Sequence, residues 1–255
     1  MVLILAHAAD AGAASVAERL SARIGRTRVR TLRPEALALA RWSHRVDVRG
    51  GASTRLTPPD GRTVASGEIE AVLNRIRYLP LPRFRRASPK DVDYAGAELQ
   101  AVVASWLCEL GDRVVNPVGR HPWLTPEMPL PLWASIASAA GLPVRSARLA
   151  ASANGADERD CAAGTWPHAS DEAVSRVLVA GDAVTGEMAP RYGATCIAAA
   201  RAMSVSLVEF VFVLAGPASD IALVHVDLLP PLLDAAQVEL TANLLNPMCG
   251  CRSQP

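Results

Sequence analysis

Ala71 to Pro117 reads AVLNRIRYLPLPRFRRASPKDVDYAGAELQAVVASWLCELGDRVVNP, and this stretch decides the fold. Ile69 to Leu73, apolar except for Glu70, reads as a buried strand that stops at a polar pair, Asn74-Arg75. From Asp91 to Leu110, apolar residues at Ala97, Val102, Trp106 and Leu110 give a helix one buried face. Arg113-Val114-Val115 then forms a second strand that stops at Asn116. Strand, helix and strand in this order belong to an N-terminal α/β layer. Open α/β sheets take ligands beyond the carboxyl ends of their strands, so Asn74, Arg75, Arg77, Tyr78 and Asn116, with Arg120-His121 beyond, form one candidate rim.

Toward the N-terminus, Val2 to His7 predicts a first strand, followed by a small-residue loop with Asp10 and Gly12 and a helix from about Ala14 to Ile24. VRTLRPEAL supplies another strand and turn. LARWSHRV brings Trp42 and His44 together with Arg41 and Arg45, and Pro58-Pro59-Asp60-Gly61 marks a hairpin turn between Arg55–Thr57 and Arg62–Val64. Toward the C-terminus, a helix from Trp133 to Ala140 closes at Gly141. A strand Arg176–Ala180, a turn at Gly181-Asp182, a helix around Gly193–Met203, strands Leu207–Leu214 and Ile221–Val226, and a last helix Asp234–Leu245 follow. Residues 145–175 carry no apolar run of strand length and read as a loop-rich connector, which divides the chain into parts 1–144, 145–175 and 176–255.

Composition narrows the function classes. With 255 residues, half of them apolar, the chain can bury a substantial core, and a net charge of +1 gives no electrostatic case for nucleic acid. The basic trio Arg83, Arg85 and Arg86 reads as a solvated loop face. No apolar run has membrane-spanning length, and the opening residues lack the pattern of a signal peptide, so a cytoplasmic protein without a membrane partner is expected. Five cysteines at scattered positions suit reduced thiols, and Cys249-Gly-Cys251 alone is a weak metal motif. No nucleophile elbow, His-Glu-x-x-His or Cys-x-x-Cys pattern is present.

VLNR, the acidic helix start with Asp91, Asp93, Tyr94 and Glu98, VVNP, and LWASIASAAGLPV occur in an order that resembles the N-terminal part of ligase-type ATP-grasp proteins. RVLVAGDAVTG, SLVEF and HVDLLP look like the final strands of that fold. The resemblance implies an α/β chain: a pre-ATP-grasp, Rossmann-like N-terminal layer plus a truncated ATP-grasp-like C-terminal α+β part. It also implies a nucleotide-binding subdomain with phosphate-holding lysines, for which only residues 145–175 are available; the sole lysine in the chain is Lys90. The family's magnesium ligands fall on Glu209 and on the HVDLLP segment, where His225 replaces a glutamate and Asp227 an asparagine. Imidazole suits magnesium poorly. On these grounds ATP and magnesium are disfavoured as ligands.

LAHAADAGAASVAERL, LARWSHR and AVLNRIRYLP are further similar to small ATP-grasp-like proteins of methylotrophic bacteria associated with tetrahydromethanopterin-linked one-carbon metabolism. That likeness implies a binding protein for a tetrahydromethanopterin-type pterin or its biosynthetic intermediate. The candidate ligand-binding residues are Trp42, His44, Asn74, Arg75, Tyr78, Asn116, Glu209 and Asp227, with no resident metal and no assigned catalytic residue. Strand-end placement selects them, and a structural ion pair between Arg75 and Glu209 is the simpler alternative for those two. The rival functions are an ATP- and magnesium-dependent carboxylate–amine ligase in cofactor biosynthesis and a non-catalytic scaffold subunit. Whether a reaction is catalysed stays open, and a homodimer is expected from base rates.

Overall fold

The computed structural model describes residues 1–48, 50–84, 86–118, 128–145, 173–215 and 220–250. The first strand, β1 (Val2–Leu5), is buried on both faces, as a continuous apolar run in a parallel sheet must be. Asp10 caps the helix that follows, α1 (Ala11–Ile24), its Oδ1 accepting from the Ala13 N–H at 2.9 Å. β2 (Val29–Leu32) and the short helix α2 (Pro34–Leu39) come next. A small antiparallel sheet is built from β3 (Arg41–Val46), β4 (Ala52–Thr57) and β5 (Val64–Ala65), in that order. The chain then returns to the parallel sheet as β6 (Ala71–Asn74), crosses through α3 (Pro89–Leu110) and re-enters as β7 (Val114–Val115). The order β2-β1-β6-β7, parallel throughout, is a doubly wound layer.

α4 (Leu130–Ala139) precedes the second half. β8 (Val174–Ala180), β9 (Ala183–Thr185), α5 (Ala189–Ala202), β10 (Leu207–Ala215), β11 (Asp220–Asp227) and α6 (Ala235–Gly250) complete the described fold. The strands form an antiparallel sheet in the order β11-β10-β8-β9. β9 is absent from the sequence reading because its three residues are too short to show a period. The mixed α/β architecture, with one parallel and two antiparallel sheets among the described residues, is the expected fold class.

Three apolar cores stack these layers. Leu3, Leu5, Val72 and Val114 face α3 and the small sheet through Trp106, Leu107, Leu110 and Leu56. On the opposite face Val2, Ile4, Ala71 and Leu73 meet Val16 and Leu20 of α1 and Val238, Ala242 and Leu245 of α6. The same core includes Leu178, Ala180 and Leu207, so α6 lies between the two large sheets and joins the halves. Val177, Val179, Phe210 and Phe212 face away from it, onto α4 and α5. Burying a Leu, Ile or Phe side chain fully contributes about 1.5–3 kcal/mol, so the central core fixes the relation of the sheets. Arg19 and Arg23 pair with Glu239 at its rim. Among the described residues no helix is long and apolar enough to cross a membrane.

Candidate functional site

Strand register brings two carboxylates together. β10 and β11 are antiparallel with Glu209 opposite Asp227, so both side chains leave the same face of the sheet. That face also carries Leu207 and packs toward α6. Glu209 is 0% exposed, and each of its oxygens has a donor: Arg176 Nη1 at 2.6 Å and Gln237 Nε2 at 3.2 Å. Burial raises the Glu209 carboxyl above its ordinary range, with hydrogen-bonding and charge from Arg176 pulling the other way and the neighbouring Asp227 adding to the rise. The Arg176 side chain is 43% exposed, so one end of the pair is dry and the other wet. Gln237 is held in turn, since its Oε1 accepts from Leu233 N–H at 2.6 Å and its own N–H caps onto Asp234 at 2.8 Å. Asp227 is half-buried and its Oδ1 accepts from Leu229 N–H at 2.7 Å.

The rim of the parallel sheet meets the chain just after Asp227. Arg75, buried, donates to Asp10 at 2.6 Å and to the Pro230 carbonyl at 2.8 Å. Arg77 reaches the Leu229 carbonyl at 3.4 Å. Asn116 Oδ1 accepts from Ser206 N–H at 2.8 Å and Leu207 N–H at 2.9 Å, while its Nδ2 donates to the Leu207 carbonyl at 2.8 Å. Asn74 Oδ1 accepts from Ile76 N–H at 3.3 Å, shaping the turn out of β6. Tyr78 is 58% exposed and stacks on His7 with ring centroids 4.3 Å apart. The Arg75–Glu209 pair is thus replaced by two others, Arg75–Asp10 and Arg176–Glu209.

Trp42 and His44 are placed elsewhere, on β3 of the small sheet, facing α3. Trp42 donates to the Leu37 carbonyl at 2.9 Å and meets Trp106 edge-on at 5.4 Å. His44 bonds Thr54 Oγ1 through Nδ1 at 2.7 Å and Ser105 Oγ through Nε2 at 2.8 Å, and Thr54 donates onward to Glu109. This hydrogen-bonded relay ties the small sheet to α3. Arg120-His121, most of the 145–175 connector and Cys251 lie outside the described residues.

Arg176 and Gln237 partner the predicted residues without a signal of their own in the sequence, and Asp10, a loop residue there, pairs with Arg75. Arg176 reads there as an ordinary strand residue. Its meeting with Glu209 depends on the β8–β10 register, which places Arg176 opposite Val211 on the Glu209 face.

The fold has counterparts among solved structures. The RiPP-associated ATP-grasp ligase of Chryseobacterium gregarium, in complex with ADP and a leader and core peptide, superposes with a TM-score of 0.69 at 11% identity, over 99% of this chain and 97% of that one. The fold is ATP-grasp-like. Macrocyclase MdnC from Microcystis aeruginosa MRC, bound with precursor peptide MdnA, gives 0.71 at 10% identity over 96% and 99% of the two chains. ATP-grasp ligase PsnB complexed with a minimal precursor, Mg and ADP gives 0.63 at 16% identity over 97% and 98%. No family model matches the chain, and no curated protein matches it.

One expectation is corrected by these likenesses. The short 145–175 segment, the lack of phosphate lysines and His225 at a magnesium position disfavour ATP and magnesium, yet the chain is matched nearly end to end, on both sides, by ligases solved with ADP and with magnesium. A missing subdomain is therefore no ground against the nucleotide, and the pterin-type ligand gains no support from the same neighbours.

The residues present also fit a magnesium–nucleotide. Among the described residues no group of three or more His, Cys, Asp and Glu side chains could hold a metal ion. Magnesium on a nucleotide does not need one, because it keeps several waters and takes one or two carboxylates plus phosphate oxygens. Glu209 and Asp227 supply hard oxygen donors at facing positions. A carboxylate has about four lone-pair sites, so the bonds from Arg176 and Gln237 leave Glu209 room for a cation.

Proposed function

We propose that the chain is an ATP- and magnesium-dependent ligase that joins a carboxylate to an amine. The observation that carries this reading is the Glu209–Asp227 pair, in register on adjacent strands of an ATP-grasp-like fold, with Arg176 against the buried member. In the proposed reaction an amide bond forms between the acid carbon and the amine nitrogen. The terminal phosphoanhydride of ATP breaks, one carboxylate oxygen leaves with the phosphate, and the amine proton passes to solvent.

Glu209 and Asp227 would hold magnesium. Held there, it would supply positive charge against the phosphates. Arg176 faces outward beside Glu209, and its guanidinium fork matches phosphate oxygens as lysines do in other nucleotide sites. The one lysine, Lys90, is exposed at the start of α3 and has no part in this arrangement. Gln237 keeps Glu209 oriented while its own position is fixed by the α6 cap. Asn74, Arg75 and Tyr78 belong to the proposed site as the wall formed by the parallel sheet, and Asn116 supports it from behind, while Trp42 and His44 stand outside it, on the small sheet against α3. Because two of the neighbours named above carry peptides, a peptide side chain is a reasonable source of one reacting group.

The test is turnover with MgATP and mixtures of amino acids, small dicarboxylic acids and short acidic peptides. ADP release that needs both an acid and an amine, with a product one water lighter than its parents by mass spectrometry, is expected. Micromolar ATP binding with no acid-dependent ADP release across the panel would overturn ligation.

A further inference from the structure

Glu209 and Asp227 form the last rung of the β10–β11 ladder. On one side the register is broken by an irregularity between Val211 and Phe212, so the rungs from Glu209 to Val211 form a short isolated run. On the other side no further β10–β11 pairs follow: Leu207 and Val208 pair only with β8, and β11 leaves the sheet after Asp227. A ladder end of this kind frays unless something else holds it.

Asn116 does so from outside the sheet. Its Oδ1 accepts from Ser206 and Leu207 N–H, and its Nδ2 donates to the Leu207 carbonyl at 2.8 Å and reaches the Leu228 carbonyl at 3.5 Å. Leu207 lies two residues before Glu209, and Leu228 follows Asp227 directly. One amide side chain, carried on the end of β7, thus bridges the two strands where the next rung would have been. Arg75 holds the same exit loop one step further on, at Pro230.

We infer that Asn116 is a positioning residue for the carboxylate pair, setting the separation of Glu209 and Asp227 and hence the affinity of the site for magnesium. The inference rests on the ligase reading above. Asn116 touches neither metal nor nucleotide in this account; it acts through the two strands. Groups that orient metal-binding carboxylates from behind typically change metal affinity about 10–100-fold when replaced.

The test is the magnesium dependence of ATP binding, measured by calorimetry at fixed ATP with magnesium varied, on the wild-type chain, Asn116→Asp and Asn116→Ser. Asp keeps the acceptor for Ser206 and Leu207 but turns an oxygen toward two carbonyls; Ser, shorter and with a single hydroxyl, cannot span both strands and adds no charge. Leu107→Ala, in the core beneath α3 and remote from the pair, is the control for general loss of stability. Both Asn116 variants should need about 10-fold more magnesium for half-maximal binding, while ATP affinity at saturating magnesium and the Leu107→Ala magnesium curve stay near wild type. An unshifted magnesium curve in whichever Asn116 variant folds, with wild-type binding intact, overturns the positioning role alone. An equal shift in Leu107→Ala also overturns it, since a merely structural role would produce that. Absence of MgATP binding by the wild-type chain overturns the ligase reading, and the inference falls with it.

Discussion

Replacing Arg176 by Met should destabilise the fold far more than replacing Glu209 by Gln, and the gap should widen as pH rises. The asymmetry comes from burial, because Glu209 is 0% exposed and Arg176 is 43% exposed. Without Arg176 a buried carboxylate keeps only the Gln237 N–H, and an uncompensated buried charge costs about 3–5 kcal/mol. Without the Glu209 charge, Arg176 rehydrates, the Gln oxygen still accepts from Gln237, and the loss is about 0–1 kcal/mol, as for exposed pairs. In a chain of this size each kcal/mol moves the melting temperature by about 2–4 °C, so the two variants should separate by several degrees.

The pH dependence has a definite sign. Burial already holds the Glu209 carboxyl above its ordinary value of 4.5, and loss of Arg176 removes the main group pulling it down. Below that ordinary value both folded and unfolded states are protonated and the burial penalty is absent. As pH rises, the unfolded chain ionises first, and stability is lost until pH passes the folded value. Urea unfolding of both variants at pH 5 and pH 8, followed by the fluorescence of buried Trp106 and Trp133 without nucleotide or magnesium, reads this directly. Equal losses in the two variants, or an Arg176→Met penalty independent of pH, would refute the reasoning.

Further expectations follow from other parts of the fold. Thr54→Val cuts the relay from His44 to Glu109 and should cost about 1–3 kcal/mol of stability in urea unfolding, with no change in nucleotide binding. Gly186→Ala should fail to fold or lose several degrees of melting temperature, because a Cβ there would lie 2.1 Å from the Arg176 carbonyl oxygen at a φ of +121°. Cys196 is buried and its thiol is pushed up to about 12, so at pH 8 peptide mapping after brief alkylation should find it unmodified while exposed Cys108 is labelled.

Much of the scaffold is legible from local pattern alone. Val2–Leu5 and Ala71–Leu73 are continuous apolar runs because helices cover both faces of their sheet. α3 shows its buried face through Trp106 and Leu110, and Ser88 with Pro89 marks its start. The partners of the charged residues are not legible in the same way. Arg176 lies 33 positions from Glu209, and Asp10 lies 65 from Arg75, so only strand order and register decide that these pairs form. The sequence likewise places Trp42 and His44 near the rim only by chain order, whereas the hairpin carries them onto a separate sheet against α3. The disfavouring of ATP and magnesium comes from counting lysines and residues in one segment and from His225 and Asp227 standing where the family has a glutamate and an asparagine. A fold can be matched along nearly its whole length while its local sequence is unlike, which residue counts do not reveal.

The central claim, that Glu209 and Asp227 serve a magnesium–nucleotide, is tested most directly by calorimetric titration of the folded chain with ATP, with and without magnesium, alongside Glu209→Gln. Micromolar binding that requires magnesium is expected, and it should be lost in Glu209→Gln although that variant remains folded. No binding by the wild-type chain, or equal binding by both proteins, would contradict it.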